Sequence, residues 1–258
     1  MADHPFSSAL VTGASSGIGE ALARRLASDG VPTVVVARRE DRLRALADEF
    51  DTVEVLAADL LTMKGQRAVV ARITDDARPV DLVVNTAGFG TNGLVHELDP
   101  ERLADEVELN VAALTRLSQA ALAAMVPRGR GWLLNVSSVA SFQPAPGLAV
   151  YAATKAYVTS LTESLHEEVK GHGVHVTALC PGLTKTEFQA VSNTGEYASE
   201  FPAIAWTSVD QVVDEALASV ISNRTLAVPG NQYKVMTAAS NVTPRWLKRR
   251  LSSMVQRD

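Results

Sequence analysis

Short apolar segments alternate with helical patterns along the whole length of this 258-residue chain. These segments are mainly continuous apolar runs rather than alternating ones, which is typical of parallel strands covered by helices on both faces. The predicted strands are 9–12, 33–37, 53–57, 81–85, 132–137, 174–179 and 226–228. The predicted helices are 17–29, 39–50, 62–77, 100–125, 149–170 and 209–222, and Asp99-Pro100 and Thr207-Ser208 supply caps for two of them. This order predicts an α/β fold in a single domain over 1–258, a Rossmann-type doubly wound parallel sheet of about seven strands with helices on both faces.

Composition excludes several classes of function. The formal net charge of −5 argues against nucleic acid as a partner, because phosphate binding requires a basic surface. The one cysteine, Cys180, cannot form an internal disulfide, and its apolar surroundings predict a buried, inert thiol. His172 and His175 have no third ligand nearby, so no metal site is predicted. The start MADHPFSS lacks a signal-peptide pattern, and no apolar run approaches the roughly 20 residues that span a bilayer, so a cytoplasmic location is expected.

A glycine-rich turn follows the first predicted strand, with the sequence Thr12-Gly13-Ala14-Ser15-Ser16-Gly17-Ile18-Gly19. Gly13 permits the tight turn, while Gly17 and Gly19 allow backbone, phosphate and helix to approach closely. The N–H groups at the start of the following helix suit a pyrophosphate, so the turn predicts a dinucleotide site. The same letters fit the G-x-S-x-G turn of serine hydrolases, but that fold needs several strands before the serine, and only about a dozen residues precede Ser15.

The second predicted strand ends at Ala37 and is followed by Arg38 and Arg39. Enzymes that use NAD usually place an acidic residue there, which would repel the 2′-phosphate of NADP. A guanidinium instead offers that phosphate charge-assisted hydrogen bonds, so NADP(H) is the predicted cofactor. Alternatively, both arginines are solvated charges at a helix start. Asp59, at the end of the third strand, either accepts a hydrogen bond from the adenine amino group or caps the next helix.

Tyr151 and Lys155 are four residues apart in a predicted helix and therefore share one face. Because an ammonium stabilises a phenolate, Lys155 is expected to lower the pKa of Tyr151; alternatively, such a pair is a core ring beside a solvated amine. Ser138 follows the fifth strand and is expected to lie beside Tyr151. Asn110, within the long helix, either bonds locally or marks a kink and water site that connects Lys155 to solvent.

In their order along the chain, these motifs resemble the short-chain dehydrogenase/reductase family over nearly the whole length. The matching residues are TGASSGIG at 12–19, Asp59-Leu60, Asn85-Thr86-Ala87-Gly88, Asn110, Ser138, Tyr151, Lys155, Pro181-Gly182 and Thr186. Thr86 stands where the family often has a second asparagine, and Thr184 stands where a branched apolar residue is common.

The resemblance implies a role for each of these residues. Tyr151 would be the general acid/base and Ser138 would polarise the carbonyl. Lys155 would bind the nicotinamide ribose, and Asn110 would hold a relay water. The resemblance also implies cofactor contacts from Gly13, Ser15, Ser16, Gly17, Ile18, Gly19, Arg38, Arg39, Asp59, Leu60, Asn85, Ala87, Gly88, Tyr151, Lys155, Pro181, Gly182, Thr184 and Thr186.

The expected activity is hydride transfer between NADP(H) and a carbonyl or secondary alcohol, favouring reduction of an apolar ketone or aldehyde. The alternative is a catalytically idle NADP-binding sensor. The residues expected to wall the substrate pocket are Phe89, Phe142, Leu148, Leu183 and Phe188. A homodimer or homotetramer is expected, because family members assemble through helices such as the one in which small residues stand at Ala152, Ala153, Ala156 and Ser160.

Two segments stand outside the alternation. Residues 185–207 are rich in Thr, Ser, Asn and Gly and form either a mobile substrate lid or a surface loop whose aromatic residues pack into the core. Those aromatic residues are Phe188, Tyr197, Phe201 and Trp206. The C-terminal extension, 230–258, predicts an amphipathic helix that packs on the body or on a partner subunit, with membrane-surface attachment as the alternative. Its apolar face is Trp246, Leu247, Leu251, Met254 and Val255, opposite Arg245, Lys248, Arg249 and Arg257.

Overall fold

A computed structural model describes residues 4–195, 199 and 201–254. Within this part of the chain, the strands form one parallel sheet with the order β3-β2-β1-β4-β5-β6-β7. The strands are β1 Ala9–Thr12, β2 Thr33–Ala37, β3 Val53–Ala57, β4 Leu82–Asn85, β5 Gly131–Val136, β6 Val174–Leu179 and β7 Leu226–Ala227. Three predicted strands differ from these by one residue at an end. The chain winds outward from β1 to β3 and then returns to β4, so β1 and β4 flank the switch point where such sheets bind ligands.

Helices cover both faces of the sheet. The helices are α1 Gly17–Ser28, α2 Glu40–Glu49, α3 Met63–Ile73, α4 Pro100–Val107, α5 Leu114–Arg128, α6 Ala149–Glu168, α7 Phe188–Val191, α8 Val209–Ile221, α9 Asn231–Val242 and α10 Arg245–Met254. Single 3₁₀ turns occupy Val95–Glu97, Val139–Phe142 and Ala203–Ala205, and a π-helical turn, Glu108–Ala113, joins α4 to α5.

Two hydrophobic clusters separate the sheet from its helices. On one face, Leu22 of α1 and Val213 of α8 pack with Val11 of β1. On the other face, Val69 of α3 and Leu117 of α5 belong with Leu10 of β1 to the second cluster. Neighbouring residues of β1 thus point into opposite cores, which confirms the predicted doubly wound α/β architecture.

Helix ends account for most differences from the predicted boundaries. The helix predicted over 62–77 ends at Ile73, where Asp75 instead accepts a hydrogen bond from the Ala77 N–H in a local turn. The helix predicted to end at 125, before a proline, continues to Arg128 and stops at Gly129 in a left-handed conformation (φ 64°). The proline lies in the last turn, so it interrupts little of the hydrogen-bonding ladder.

The stretch Pro100–Arg128 is long and apolar enough to cross a membrane, with a mean hydropathy of 1.3 over 18 residues. This corrects the expectation that no segment of the chain has that length and hydropathy. Leu117, Ala121 and Met125 on this stretch are almost fully buried in the second cluster. Packing against the sheet therefore accounts for its apolar side, as in the core helix of a globular protein.

Candidate active site

A cavity of about 540 Å³ opens at the carboxyl ends of the strands. Nearly all the residues predicted from the sequence to bind the cofactor or to act in catalysis line this cavity. Those that line it are Gly13, Ser15, Ser16, Gly17, Ile18, Gly19, Arg38, Arg39, Asp59, Leu60, Ala87, Gly88, Ser138, Tyr151, Lys155, Pro181, Gly182, Thr184 and Thr186. The predicted residues Asn85 and Asn110 do not line it.

The glycines of the first turn lie where side chains have no room. Gly13 has a φ of 66°, and a Cβ on it would fall 2.9 Å from the Ala87 nitrogen. A Cβ on Gly19 would fall 2.4 Å from the Gly13 carbonyl oxygen. Ser16, which precedes α1, gives the helix no side-chain cap, so the first-turn N–H groups keep their capacity to bind an anion. This turn fits the pyrophosphate of a dinucleotide.

Two arginines lie at the end of the cavity formed by β1, β2 and β3, where they have different environments. Arg38 is exposed, lines the cavity and makes no hydrogen bond or ion pair with the residues the structure describes. Arg39 donates to the Ser15 hydroxyl at 3.1 and 3.2 Å and to the Glu187 carboxylate at 2.8 Å. Arg42 donates to the same carboxylate at 2.9 Å, and the two guanidinium groups hold the pKa of Glu187 below its usual range.

Asp59 follows β3 and lines the same end of the cavity. Its Oδ1 accepts a hydrogen bond from the Leu61 N–H at 3.0 Å. The helix α3 is capped instead by Thr62, whose hydroxyl accepts from the Gly65 N–H at 3.0 Å. The alternative in which Asp59 caps that helix is therefore wrong.

Asn85 was expected to contact the cofactor, but its side chain is buried in the protein. It donates to Asn135 Oδ1 at 2.9 Å and to the Ser118 hydroxyl at 3.2 Å, and so links β4 to β5 and α5. Asn135 in turn donates to Thr162 of α6 at 3.1 Å. Through its amide nitrogen, Asn85 joins a buried polar network between sheet and helices, while its side-chain oxygen has no hydrogen-bond partner among the described residues.

Asn110 lies within the π-helical turn and is fully buried. Its side-chain oxygen accepts from the Phe89 N–H at 3.1 Å, and its amide donates to the Phe89 carbonyl at 2.8 Å and to Thr154 at 3.1 Å. The predicted kink is present as this wide turn, of a kind that is frequent at functional sites. The local bonding proposed as the alternative is wrong, because these partners belong to the loop after β4 and to α6.

Tyr151, Lys155 and Ser138 meet at the centre of the cavity. The Lys155 ammonium lies 5.7 Å from the centre of the Tyr151 ring and donates to the Val136 carbonyl at 2.9 Å. Ser138 precedes the turn Val139–Phe142 and also lines the cavity, and its hydroxyl influences the ionisation of Tyr151. Both Tyr151 and Lys155 are at most 9% exposed, so their charges are poorly solvated.

Burial dominates the ionisation of both groups. Desolvation raises the pKa of Tyr151 to about 12, although the hydrogen bond from Ser138 opposes the shift. Desolvation lowers the pKa of Lys155 to about 8. In the protein alone, desolvation therefore outweighs any lowering of the Tyr151 pKa by Lys155, and the phenol is protonated at neutral pH.

The remainder of the cavity is apolar. Its charged lining residues other than Lys155 are Arg38, Arg39, Asp59 and Glu187, all at the Arg38 end. Of the predicted wall, Phe142 is an error, because it does not line the cavity and packs against the cluster of Cys180 and Tyr233. The apolar residues around Tyr151 are Phe89, Val139, Leu148, Leu183, Phe188, Val191, Phe201 and Met236.

Several of the described residues within 185–207 line the cavity. Phe188 lies with its ring centre 5.5 Å from that of Tyr151, and Phe201 also lines the cavity. Trp206 lies under the Lys185 ammonium at 5.6 Å, and Tyr197 lies outside the described residues. Two of the four aromatic side chains thus face the cavity rather than the core.

Sequence reasoning missed Tyr233 and Met236, which reach the cavity from α9. No motif marks them; their only signal is two apolar side chains in the polar first turns of the extension. The predicted terminal helix is present as α10, but Trp246 on its proposed apolar face is 60% exposed. Val255 and Arg257 lie outside the described residues.

Among the residues that the structure describes, no group of three His, Cys, Asp or Glu side chains could hold a metal ion. His175 instead packs edge-on against Trp132, and its Nδ1 lies 3.0 Å from the Val220 carbonyl oxygen. Cys180 is fully buried, which raises the pKa of its thiol to about 12.

Comparison with known proteins identifies relatives that match most of this chain. Residues 7–197 match the family described as short chain dehydrogenase. The chain is 38% identical to an uncharacterized oxidoreductase of Myxococcus xanthus over 197 residues, which cover 75% of this chain and 78% of the relative. A short-chain dehydrogenase from Sphingobium yanoikuyae, solved in complex with NADPH, is 34% identical with a TM-score of 0.81, over 91% of this chain and 93% of that one. A bulky-bulky ketone specific alcohol dehydrogenase from Comamonas testosteroni is 30% identical with a TM-score of 0.77, over 91% and 92%.

Proposed function

Because the chain belongs to the short-chain dehydrogenase family of oxidoreductases, we propose that it reduces a bulky, neutral, apolar ketone or aldehyde with NADPH. The observation that carries this proposal is the division of the cavity into a charged end with Arg38 and Arg39 and an apolar end around Tyr151. The first suits a phosphorylated dinucleotide. The second offers no charged partner to a charged substrate apart from Lys155, whose ammonium is hydrogen-bonded to the Val136 carbonyl.

The cofactor preference rests on the two arginines. An exposed guanidinium with free donors, such as Arg38, suits a 2′-phosphate, whereas an unphosphorylated ribose gives it no anionic partner. The NADPH in the related structure from Sphingobium yanoikuyae supports the same choice. When bound, the dinucleotide supplies the hydride that adds to the carbonyl carbon.

The remaining chemistry belongs to the protein's own side chains. Tyr151 donates its phenolic proton to the carbonyl oxygen, so the carbonyl gains a hydride and a proton and becomes an alcohol. The Ser138 hydroxyl hydrogen-bonds the same oxygen and polarises the carbonyl. Lys155, with its pKa of about 8, is mostly charged at pH 7, and its ammonium stabilises the phenolate that remains on Tyr151. A pKa of about 12 keeps the phenol protonated before the reaction, as its role as proton donor requires.

An apolar groove on the surface suggests how two copies of the chain assemble. Val107, Val111, Ala149, Val150 and Ala153 line a shallow apolar groove between the α4–α5 stretch and α6. We propose that a second copy of the chain covers this face, as the small residues of α6 permit close helix packing.

The experiment compares wild type with Tyr151→Phe and with Tyr157→Phe, a control on the same helix whose hydroxyl contacts only Thr115 among the described residues. Turnover is measured with NADPH on neutral aryl ketones and on keto acids. We expect wild type to prefer the neutral ketones and Tyr151→Phe to lose about 10²–10⁴-fold in kcat while it binds NADPH as before. NADPH binding without turnover of any carbonyl would instead favour the idle sensor.

A further inference from the structure

Tyr233, in the first turns of α9, fills a gap that only glycine leaves open. A Cβ on Gly182 would fall 2.0 Å from the Cε2 and Cζ atoms of the Tyr233 ring. The ring is 8% exposed and lies in a small cluster with Ala178 and Cys180. The loop that follows β6 is therefore packed directly on a side chain from the C-terminal extension.

The hydroxyl of Tyr233 connects this loop to a second segment. It accepts a hydrogen bond from the Leu183 N–H at 2.9 Å and donates one to the Ala205 carbonyl at 2.5 Å. The Thr207 N–H in turn donates to the Leu183 carbonyl at 2.9 Å. The loop at 182–184 and the turn Ala203–Ala205 are thus held in one closed ring of contacts.

The same extension also contacts the end of the turn that follows Ser138. Ser240 of α9 and Lys248 of α10 donate to the Phe142 carbonyl at 2.8 and 3.1 Å. Phe142 ends the turn that begins directly after Ser138. Met236, one turn beyond Tyr233, lines the cavity.

We infer that Tyr233 is a positioning and specificity-determining residue, which fixes the distance between the 182–184 loop and the 203–205 turn and so sets the size of carbonyl substrate that reacts. The inference rests on the proposed function for its substrate, a neutral ketone. A side chain that supports two segments of one wall acts on the geometry of the bound substrate without touching the reacting atoms.

The test compares Tyr233→Phe, which keeps the ring against Gly182 and removes the hydroxyl, with Tyr157→Phe as the matched control. In Tyr233→Phe we expect at least tenfold faster hydrogen exchange at the Leu183 amide and in 203–207, with α1 unchanged. We expect kcat/KM for a bulky aryl ketone to fall at least tenfold, while that for a small ketone changes less than threefold. Gly182→Ala, which displaces the ring, is expected to shift selectivity in the same direction.

Three outcomes would overturn the inference: unchanged exchange in both segments, faster exchange in only one of them, or an equal loss of kcat/KM for both ketones. The exchange measurement needs no substrate. If wild type turned over no ketone, the proposed function would fail, while coupled exchange at 183 and 203–207 would still establish the positioning role.

Discussion

The Glu187 carboxylate accepts a hydrogen bond at 2.8 Å from the Arg39 guanidinium, which joins the segment after β6 to the turn after β2. Arg39 also holds the Ser15 hydroxyl, so three chain segments meet at the nucleotide end of the cavity. Thr186 lies against Gly17, where a Cβ would come within 3.2 Å of its side chain. The segment therefore crosses the groove in which we propose the cofactor binds.

Removing this ion pair should accelerate release of the cofactor. In Glu187→Gln we expect NADPH to dissociate several-fold faster, because the segment loses its charged contact with Arg39 and Arg42. The free energy of unfolding should change little, since exposed pairs contribute about 0–1 kcal/mol. Stopped-flow fluorescence measures the release. Glu167→Gln, which removes the exposed pair with Lys170 on α6, is the control, and equal release rates in the two variants would contradict the prediction.

We expect Arg38 to be the residue that makes the protein bind NADPH more tightly than NADH. A charge-assisted hydrogen bond is worth about 1.5–3 kcal/mol, so Arg38→Ala should raise the Kd of NADPH about 10–100-fold and leave that of NADH unchanged. Titration calorimetry with both dinucleotides provides the measurement. Arg44→Ala, which removes an exposed arginine paired with Glu40 on α2, should alter neither Kd. An equal loss for NADPH and NADH would refute the assignment.

The buried ammonium of Lys155 should make stability depend on pH. Its pKa is about 8 in the folded protein and 10.5 ordinarily, so the folded state binds fewer protons than the unfolded state between these values. The charged ammonium therefore destabilises the fold below pH 8, and this cost disappears as the pH rises. Wild type should therefore gain stability as the pH rises, whereas Lys155→Met, which has no ammonium to bury, should not. The free energy of unfolding of Lys155→Met relative to wild type should fall by about 2–3 kcal/mol from pH 7 to pH 10. Urea unfolding at the two pH values tests this, and a difference independent of pH would contradict it.

Gly19 should not tolerate a methyl group. Its Cβ would overlap the backbone carbonyl of Gly13, and overpacking of this kind typically costs about 1–3 kcal/mol. We expect Gly19→Ala to lose that much stability and to bind NADPH at least tenfold more weakly, as measured by thermal unfolding and titration. Gly195→Ala is the control, because a Cβ there meets no atom of the described residues within 4 Å. Wild-type NADPH affinity in Gly19→Ala would show that this turn does not hold the cofactor.

Local patterns were enough to predict most of the fold and the centre of the site. The strand β2 was predicted with correct bounds because three consecutive valines, 34–36, form its centre, and Ser208 was recognisable as a cap before α8. The cavity contains Tyr151, Lys155 and Ser138 because strand ends and the next helix start are adjacent in any sheet of this type.

Contacts between distant parts of the chain were not predictable in this way. Asn85 resembles a cofactor ligand in sequence, and only its pairing with Asn135, fifty residues away, shows that it is buried. The contribution of Tyr233 depends on a contact with Leu183, also fifty residues away, that leaves no local pattern. The ionisation of Tyr151 differs from expectation for a related reason, since burial is set by the whole fold rather than by the neighbouring Lys155.

Because the turn Glu108–Ala113 is π-helical, the contacts of the helical stretch around it depend on the number of residues in the turn. A turn of this kind accommodates an extra residue, and each residue of an α-helix rotates the chain by about 100°. Deleting one residue between 108 and 113 would replace the wide turn with regular α-helical winding and change the direction of the side chains within it. Asn110 would then lose its hydrogen bonds to Phe89 and Thr154. This stretch therefore tolerates exchange of its residues more readily than a change in their number.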